Sequence, residues 1–284
     1  MKRWMLTALA GAGLVPLLAM LLAAPSARGP DQPPEEPGGP PRGDDDAGVT
    51  RDQEAGGTHW RFESRRGPVH VWIPPGYRHE TAGIVLYVHG YYTDVDGAWT
   101  EHRLAEQFRA SGRNALFVVP EAPARGYHKV RWPDLGHLIR EVRARVGVQR
   151  PWGPVVAIGH SGAYRTLLPW LSHRPLQHLI LLDSLYAHEH PFREWLEQVK
   201  GRRNRLTMVA IDTLRWSELF AREFGYARVL DWIPTSPEEA RQAGRSSRFV
   251  YIRSQYGHMD LVQSGQAIPM LLHMTELEAV AMER

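Results

Sequence analysis

Val155-Val156-Ala157-Ile158-Gly159-His160-Ser161-Gly162-Ala163 is the stretch on which the fold turns. Val155 to Ile158 is an unbroken apolar run, the pattern of a strand buried on both faces. It leads directly to a serine between small residues, and Tyr164-Arg165-Thr166-Leu167-Leu168 continues in a helix-compatible pattern. Small residues permit a sharp strand-to-helix turn that holds the serine hydroxyl out over the sheet edge. The helix start adds backbone N–H groups and a positive dipole end. The five residues Gly159 to Ala163, closing on Ala where Gly is usual, could arise by chance. The strand before and the helix after make Ser161 a candidate nucleophile.

Similar apolar runs lie on either side: Gly83 to Val88, Ala115 to Val119, Leu179 to Leu182, Leu206 to Ile211 and Phe249 to Ile252. Between them Leu135, Leu138, Ile139, Val142 and Val146 repeat at helical spacing behind Asp134, a capping residue. Ser236-Pro237-Glu238-Glu239 is a capping box with Pro at the first helical position. Ile268, Leu271, Leu272 and Leu277 mark a closing helix. Ahead of them, His59 to Ser64 and Val69 to Trp72 flank Arg65-Arg66-Gly67-Pro68, a hairpin signal. This alternation predicts an α/β fold, a mostly parallel central sheet with helices on both faces. Reacting groups in such sheets gather at the C-terminal ends of the strands.

The first central strand ends in His89-Gly90-Tyr91-Tyr92. With that pair and the serine turn, residues 59–280 resemble the α/β-hydrolase superfamily. Val69 to Tyr77 (VHVWIPPGY) resembles the opening of secreted esterases. The resemblance implies an oxyanion hole made by the backbone amides of Tyr91 and Gly162, which would hold the charge that develops on an attacked carbonyl. A serine nucleophile needs a base. Of 14 histidines, His258 follows the last strand by the loop Arg253 to Gly257, where the family carries its histidine. His160, at the variable position of the turn, reads as packing or substrate contact.

Two aspartates compete for the acid that would orient His258. Asp183 ends the run Leu179 to Leu182, and Asp212 ends Leu206 to Ile211. The family's usual acid follows the strand that Asp212 ends, and some members take it from the strand before. Asp212 also suits capping the helical stretch from Thr213, whereas Asp183 has no capping duty. The reading favours Asp183, with Asp212 as the alternative and Asp260 as a further candidate.

The gaps between strands are short. There are 22 residues between Asp183 and Leu206, room for a helix over Phe192 to Lys200, and 36 between Asp212 and Phe249. No large cap domain is expected, so the site would be open to bulky or polymeric substrates. His188-Glu189-His190 offers metal-ligand types, but imidazoles two apart point to different faces of a helix, and the segment reads as a loop. The ten Trp read mainly as core and rim packing.

The 284 residues include no Cys, which excludes disulfides, thiolate metal sites, a cysteine nucleophile and a lipid-modified cysteine. A formal charge of +3 gives no reason to expect a nucleic-acid partner. Lys2 and Arg3 precede an uncharged, Leu- and Ala-rich run to Ala27 with small residues at its end, the layout of a signal peptide over residues 1–27. The alternative is an uncleaved anchor over Met5 to Ala24, the one case implying a membrane. Either places the body outside the cytoplasm, secreted or periplasmic. Residues 28–56, with six Pro, six Gly and three Arg against eight acids, read as a disordered linker. Asp44-Asp45-Asp46 is taken as solvated linker rather than a calcium site. The folded domain is expected over 57–284.

The leader and the resemblance together imply an exported serine hydrolase that cleaves a carboxylic ester through Ser161, His258 and Asp183 with no cofactor or metal. A peptidase or amidase of the same fold is the alternative. A non-catalytic binding protein on this scaffold is the alternative of another class.

Overall fold

The computed structural model describes residues 48–186, 188–198 and 204–280. The signal segment and the linker up to residue 47 lie outside the described residues. The remainder of the linker reading is corrected. Val49–Glu54 forms strand β1, paired antiparallel with β2 (Gly57–Phe62) from Val49↔Phe62 to Glu54↔Gly57. A strand at a sheet edge needs no apolar run, since its backbone ladder and a few anchors hold it. Here the Trp72 indole donates to the Glu54 carbonyl (2.8 Å), and the Trp99 indole donates to the Glu54 carboxylate.

The expected hairpin continues with β3 (Val69–Ile73), antiparallel to both β2 and β5 (Ala115–Pro120). From β5 onward every pairing is parallel. It runs through β4 (Gly83–Val88), β6 (Val155–His160), β7 (Leu176–Leu182), β8 (Arg205–Ala210), β10 (Phe249–Arg253) and β9 (Arg228–Leu230). The sheet order is β1-β2-β3-β5-β4-β6-β7-β8-β10-β9. Every residue of β4, β5 and β6 is buried, as their unbroken apolar runs require.

Alternate residues of one strand feed two cores. Ile84, Leu86 and Val88 pack on one face with α3 (Leu135–Val146), α4 (Tyr164–Trp170), α5 (Glu189–Glu197) and α6 (Leu214–Arg222). Val85 and Tyr87 pack on the other with α1 (Val95–Glu101), α2 (Leu104–Ser111), α7 (Pro237–Ser246), α8 (Asp260–Gln263) and α9 (Ala267–His273). Two of the expected caps form: Asp134 accepts from the His137 amide and Ser236 from the Glu239 amide. The Asp212 cap does not, because Thr213 is the N-cap of α6. Among the described residues the segments between strands hold one or two short helices and no separate cap domain.

The chain leaves β4 for β5 on one side and then returns to β6 on the other, so the strand order reverses at β4. In open α/β sheets the crevice at such a reversal, beyond the strand C-termini, is the place for a ligand. Gly90 and Ser161 stand there. A Cβ at Gly90 would lie 2.8 Å from the Ser161 Cβ, so only glycine permits the approach.

Candidate active site

Ser161 follows β6 with φ of +53°, in the left-handed region that a non-glycine residue enters at a cost of about 1 kcal/mol or more. The turn is closed by the one-turn 3-10 helix Ser161–Ala163, which runs into α4. From the next strand end, the Ser184 hydroxyl donates to the Ser161 carbonyl at 2.6 Å. Strain at the serine is thus held by a bond from the neighbouring strand.

Asp183 leaves β7 with φ of +46° and is fully buried. Its carboxylate accepts from the amides of Ile211 (3.0 Å), Asp212 (3.1 Å) and Thr213 (2.9 Å), and from the Thr213 hydroxyl (2.6 Å). His258 Nδ1 donates to Asp183 Oδ2 at 2.6 Å. Burial pushes the Asp183 carboxyl up, but the hydrogen bonds from His258, Ile211 and Thr213 outweigh it and hold the group well below the usual carboxylate range. His258 shifts the other way. The bond to Asp183 raises its pKa, burial opposes this, and the charges of Asp183 and Asp212 add to the rise. Asp212 lies 3.7 Å from His258 Nδ1 and is largely exposed, a second charge rather than a second hydrogen-bond partner.

His258 is steadied from behind. Its carbonyl accepts from His160 Nε2 at 3.1 Å, and the two rings lie 4.6 Å apart. Burial and the nearby His258 push His160 down to about 3, so it stands neutral beside its partner. On the far side of Ser161, Tyr91 packs its ring on Gly162, where a Cβ would come within 2.5 Å of that ring. Among the described residues the Tyr91 amide donates to no oxygen, and Gly162 sits in the first helical turn, where amides lack intrahelical partners. The His89-Gly90 pair is fixed by His89, whose Nδ1 donates to the Gly90 carbonyl (2.8 Å) and whose Nε2 accepts from the Ala122 amide (3.1 Å).

The structure therefore brings together the ends of β4, β6 and β7 and the loop after β10. It joins Asp183 to His258, packs His258 on the residue before Ser161, and sets Gly90 and Tyr91 against Ser161 and Gly162. Asp260 lies in the first turn of α8, and among the described residues no bond joins it to His258, whose Nδ1 is bonded to Asp183. The loop reading of His188-Glu189-His190 is corrected: His188 is the N-cap of α5 and His190 lies in its first turn, facing Glu194. One residue escaped the sequence reading. Burial and the Asp183 charge push the Tyr186 hydroxyl up to about 12, and the nearby Ser161 side chain opposes the rise. The position of Tyr186 two residues after Ser184, just beyond β7, is the only signal.

Among the described residues, two sets of side chains could bring three ligand atoms around a cation: Asp183, Asp212 and His258, and Asp52, Glu54 and His59. In the first, the Asp183 oxygens are already engaged by four protein donors besides His258, a donor set suited to holding an imidazole rather than a metal. In the second, His59 bonds to Asp52 (2.9 Å) and His70 (2.9 Å), far along the sheet at β1–β2.

No family profile and no curated protein sequence matches the chain. Solved structures do resemble it in shape. A mutant of the feruloyl esterase module from Clostridium thermocellum, complexed with sinapinate, is similar with a TM-score of 0.51 at 10% identity, over 81% of this chain and 90% of that one. A structure of FAE is similar with a TM-score of 0.52 at 11% identity, over 80% of this chain and 89% of that one. Together with the mostly parallel sheet and its flanking helices, this likeness establishes the α/β-hydrolase fold.

Proposed function

We propose that this chain, an α/β-hydrolase in fold, is an exported serine hydrolase that cleaves carboxylic esters. The observation that carries the reading is the 2.6 Å bond from His258 to a buried Asp183, with the His258 ring packed on His160, the residue before a serine held at positive φ. With Nδ1–H committed to Asp183, the basic nitrogen of His258 is Nε2. Ser161 Oγ attacks the ester carbonyl carbon as His258 takes its proton, and the carbonyl oxygen becomes an oxyanion held by the amides of Tyr91 and Gly162. The intermediate collapses, His258 passes the proton to the departing alkoxide, and an acyl-enzyme is left on Ser161. Water, deprotonated by His258, then attacks the acyl carbon, which releases the acid and restores the Ser161 hydroxyl. Export rests on the leader of residues 1–27.

The test is labelling with a fluorophosphonate probe followed by peptide mapping, beside a panel of p-nitrophenyl esters, methyl ferulate and matched p-nitroanilides. Ferulate is included because one of the structures similar in shape is a feruloyl esterase module. Labelling on Ser161, lost in Ser161→Ala, with turnover of esters over anilides supports the reading. Absence of labelling on the folded protein would sink it and bring the non-catalytic alternative forward, while faster anilide turnover would move it to an amidase.

A further inference from the structure

One helical turn after Ser161, Arg165 sends its side chain to backbone carbonyls and, among the described residues, to no acid. Its guanidinium donates through Nη1 to the carbonyls of Arg125 (3.3 Å) and Gly126, and through Nη2 to that of His128 (3.0 Å). Nη1 also reaches the Tyr91 hydroxyl at 3.5 Å. All of these acceptors are neutral oxygens, and among the described residues no carboxylate joins them. A planar guanidinium can serve three carbonyls of one loop at once through its fixed fork, which a single ammonium cannot.

The loop that Arg165 grips, between β5 and α3, is itself tied to the end of β4. The Tyr92 amide donates to the Ala124 carbonyl at 2.9 Å, with Tyr92 at φ +70°. A closed path therefore runs from Ser161 along the helix to Arg165, through carbonyls 125 to 128, to Ala124, then Tyr92 and Tyr91, and back through the Tyr91 ring to Gly162. Inside that path lie the two amides that the serine-hydrolase reading assigns to the oxyanion. Without Arg165 the Tyr91 side of the path hangs on the Tyr92–Ala124 backbone bond, the Arg125 guanidinium over the Tyr92 ring and the contact of the Tyr91 ring with Gly162.

We propose that Arg165 is a positioning residue for the oxyanion hole, which fixes the Tyr91 amide relative to the Gly162 amide. The proposal rests on the serine-hydrolase reading. It requires that loss of the fork impair stabilisation of the tetrahedral intermediate while leaving binding of the planar ester intact.

The experiment compares wild type with Arg165→Met, Arg165→Gln and Arg165→Lys. It follows kcat and KM for a neutral p-nitrophenyl ester, the inhibition constant of a trifluoromethyl ketone, and melting. The ketone forms a hemiketal oxyanion on the serine, so its affinity reads the hole directly. In Arg165→Met, kcat should fall about 10- to 100-fold, below the loss for deleting a whole oxyanion donor. KM should stay within about twofold and ketone affinity should fall in step with kcat. Arg165→Gln, which keeps one donor, should fall between, and supplies a folded variant should the Met side chain unfold the loop. Arg165→Lys should stay impaired. Unchanged kcat and ketone affinity in folded Arg165→Met or Arg165→Gln overturns the proposal, as does full recovery in Arg165→Lys, which would make charge alone the cause. Failure of the underlying reading is distinct, because wild type would then give neither labelling on Ser161 nor ester turnover.

Discussion

Asp183 Oδ2 accepts a 2.6 Å hydrogen bond from His258 Nδ1, and the Asp212 carboxylate stops 3.7 Å from the same nitrogen. The two aspartates end adjacent strands, so the difference lies in the backbone. Asp183 turns inward at φ +46° and is wrapped by the amides of the very segment that carries Asp212. Asp183→Asn should therefore lower kcat by about 10³- to 10⁴-fold, the scale expected when a base loses its correct tautomer. Asp212→Asn should retain at least about a third of wild-type turnover, since its side chain is exposed and makes no such bond. Ester kinetics on both variants decide it, and equal losses would refute the assignment of the acid.

The charge of Asp212 should still be visible in the pH profile. His258 acts as base only when neutral, and its pKa is raised, first by Asp183 and then by Asp212. Activity is lost as pH falls through that raised value, so the acid limb of kcat/KM should lie above the ordinary histidine pKa of about 6.5. Removing one negative neighbour weakens the imidazolium, so Asp212→Asn should move the limb to lower pH. High salt should shrink the difference, because Asp212 faces solvent. A limb that moves upward, or stays fixed at low salt, contradicts this role.

Legibility in the sequence followed burial. The runs of β4, β5 and β6 are wholly buried, so their apolar character could be read directly, and the serine turn between β6 and α4 came with them. Strand β1 was hidden because it is mostly exposed and carries Arg51, Asp52 and Gln53 in its middle. The choice between Asp183 and Asp212 rests on which way a buried carboxylate turns, and composition holds no record of that. The contacts of Arg165 and the Ser184 hydroxyl end on backbone carbonyls, acceptors that every residue possesses, so no residue type at the far end marks them.

Buried neutral histidines should make the fold acid-sensitive. Burial pushes His178 and His160 down to about 3, and His70 and His102 down to about 4. In the unfolded chain they bind protons near 6.5, so between 6.5 and about 4 the unfolded state holds more protons than the folded one. Stability present above 6.5 is then lost as pH falls, by up to about 1.4 kcal/mol per pH unit for each such group. His258, raised rather than lowered, works in the opposite direction but is one group against four. The urea midpoint should drop markedly from pH 7 to pH 5, and a midpoint equal at both would argue that these histidines are not held neutral. His178→Gln, which removes one buried imidazole bonded to the Thr207 hydroxyl, should flatten the dependence.

Gly162 should tolerate no side chain. A Cβ there would sit 2.5 Å from the Tyr91 ring, closer than carbon atoms approach without displacement. The ring belongs to the residue whose amide is read as an oxyanion donor, and it lies between Gly162 and the loop held by Arg165. Gly162→Ala must therefore push Tyr91 away from the serine. Overpacking of this kind costs about 1–3 kcal/mol of stability, and a displacement near 1 Å at a reacting centre can cost about 100-fold in rate. We expect kcat for a small ester to fall by about 10- to 100-fold while the protein still folds. Gly162→Ala with the additional change Tyr91→Ala, which removes the obstructing ring, should regain part of that loss because the donors are backbone groups. A double variant no faster than Gly162→Ala would mean that the ring, and not its displacement, is what the site requires.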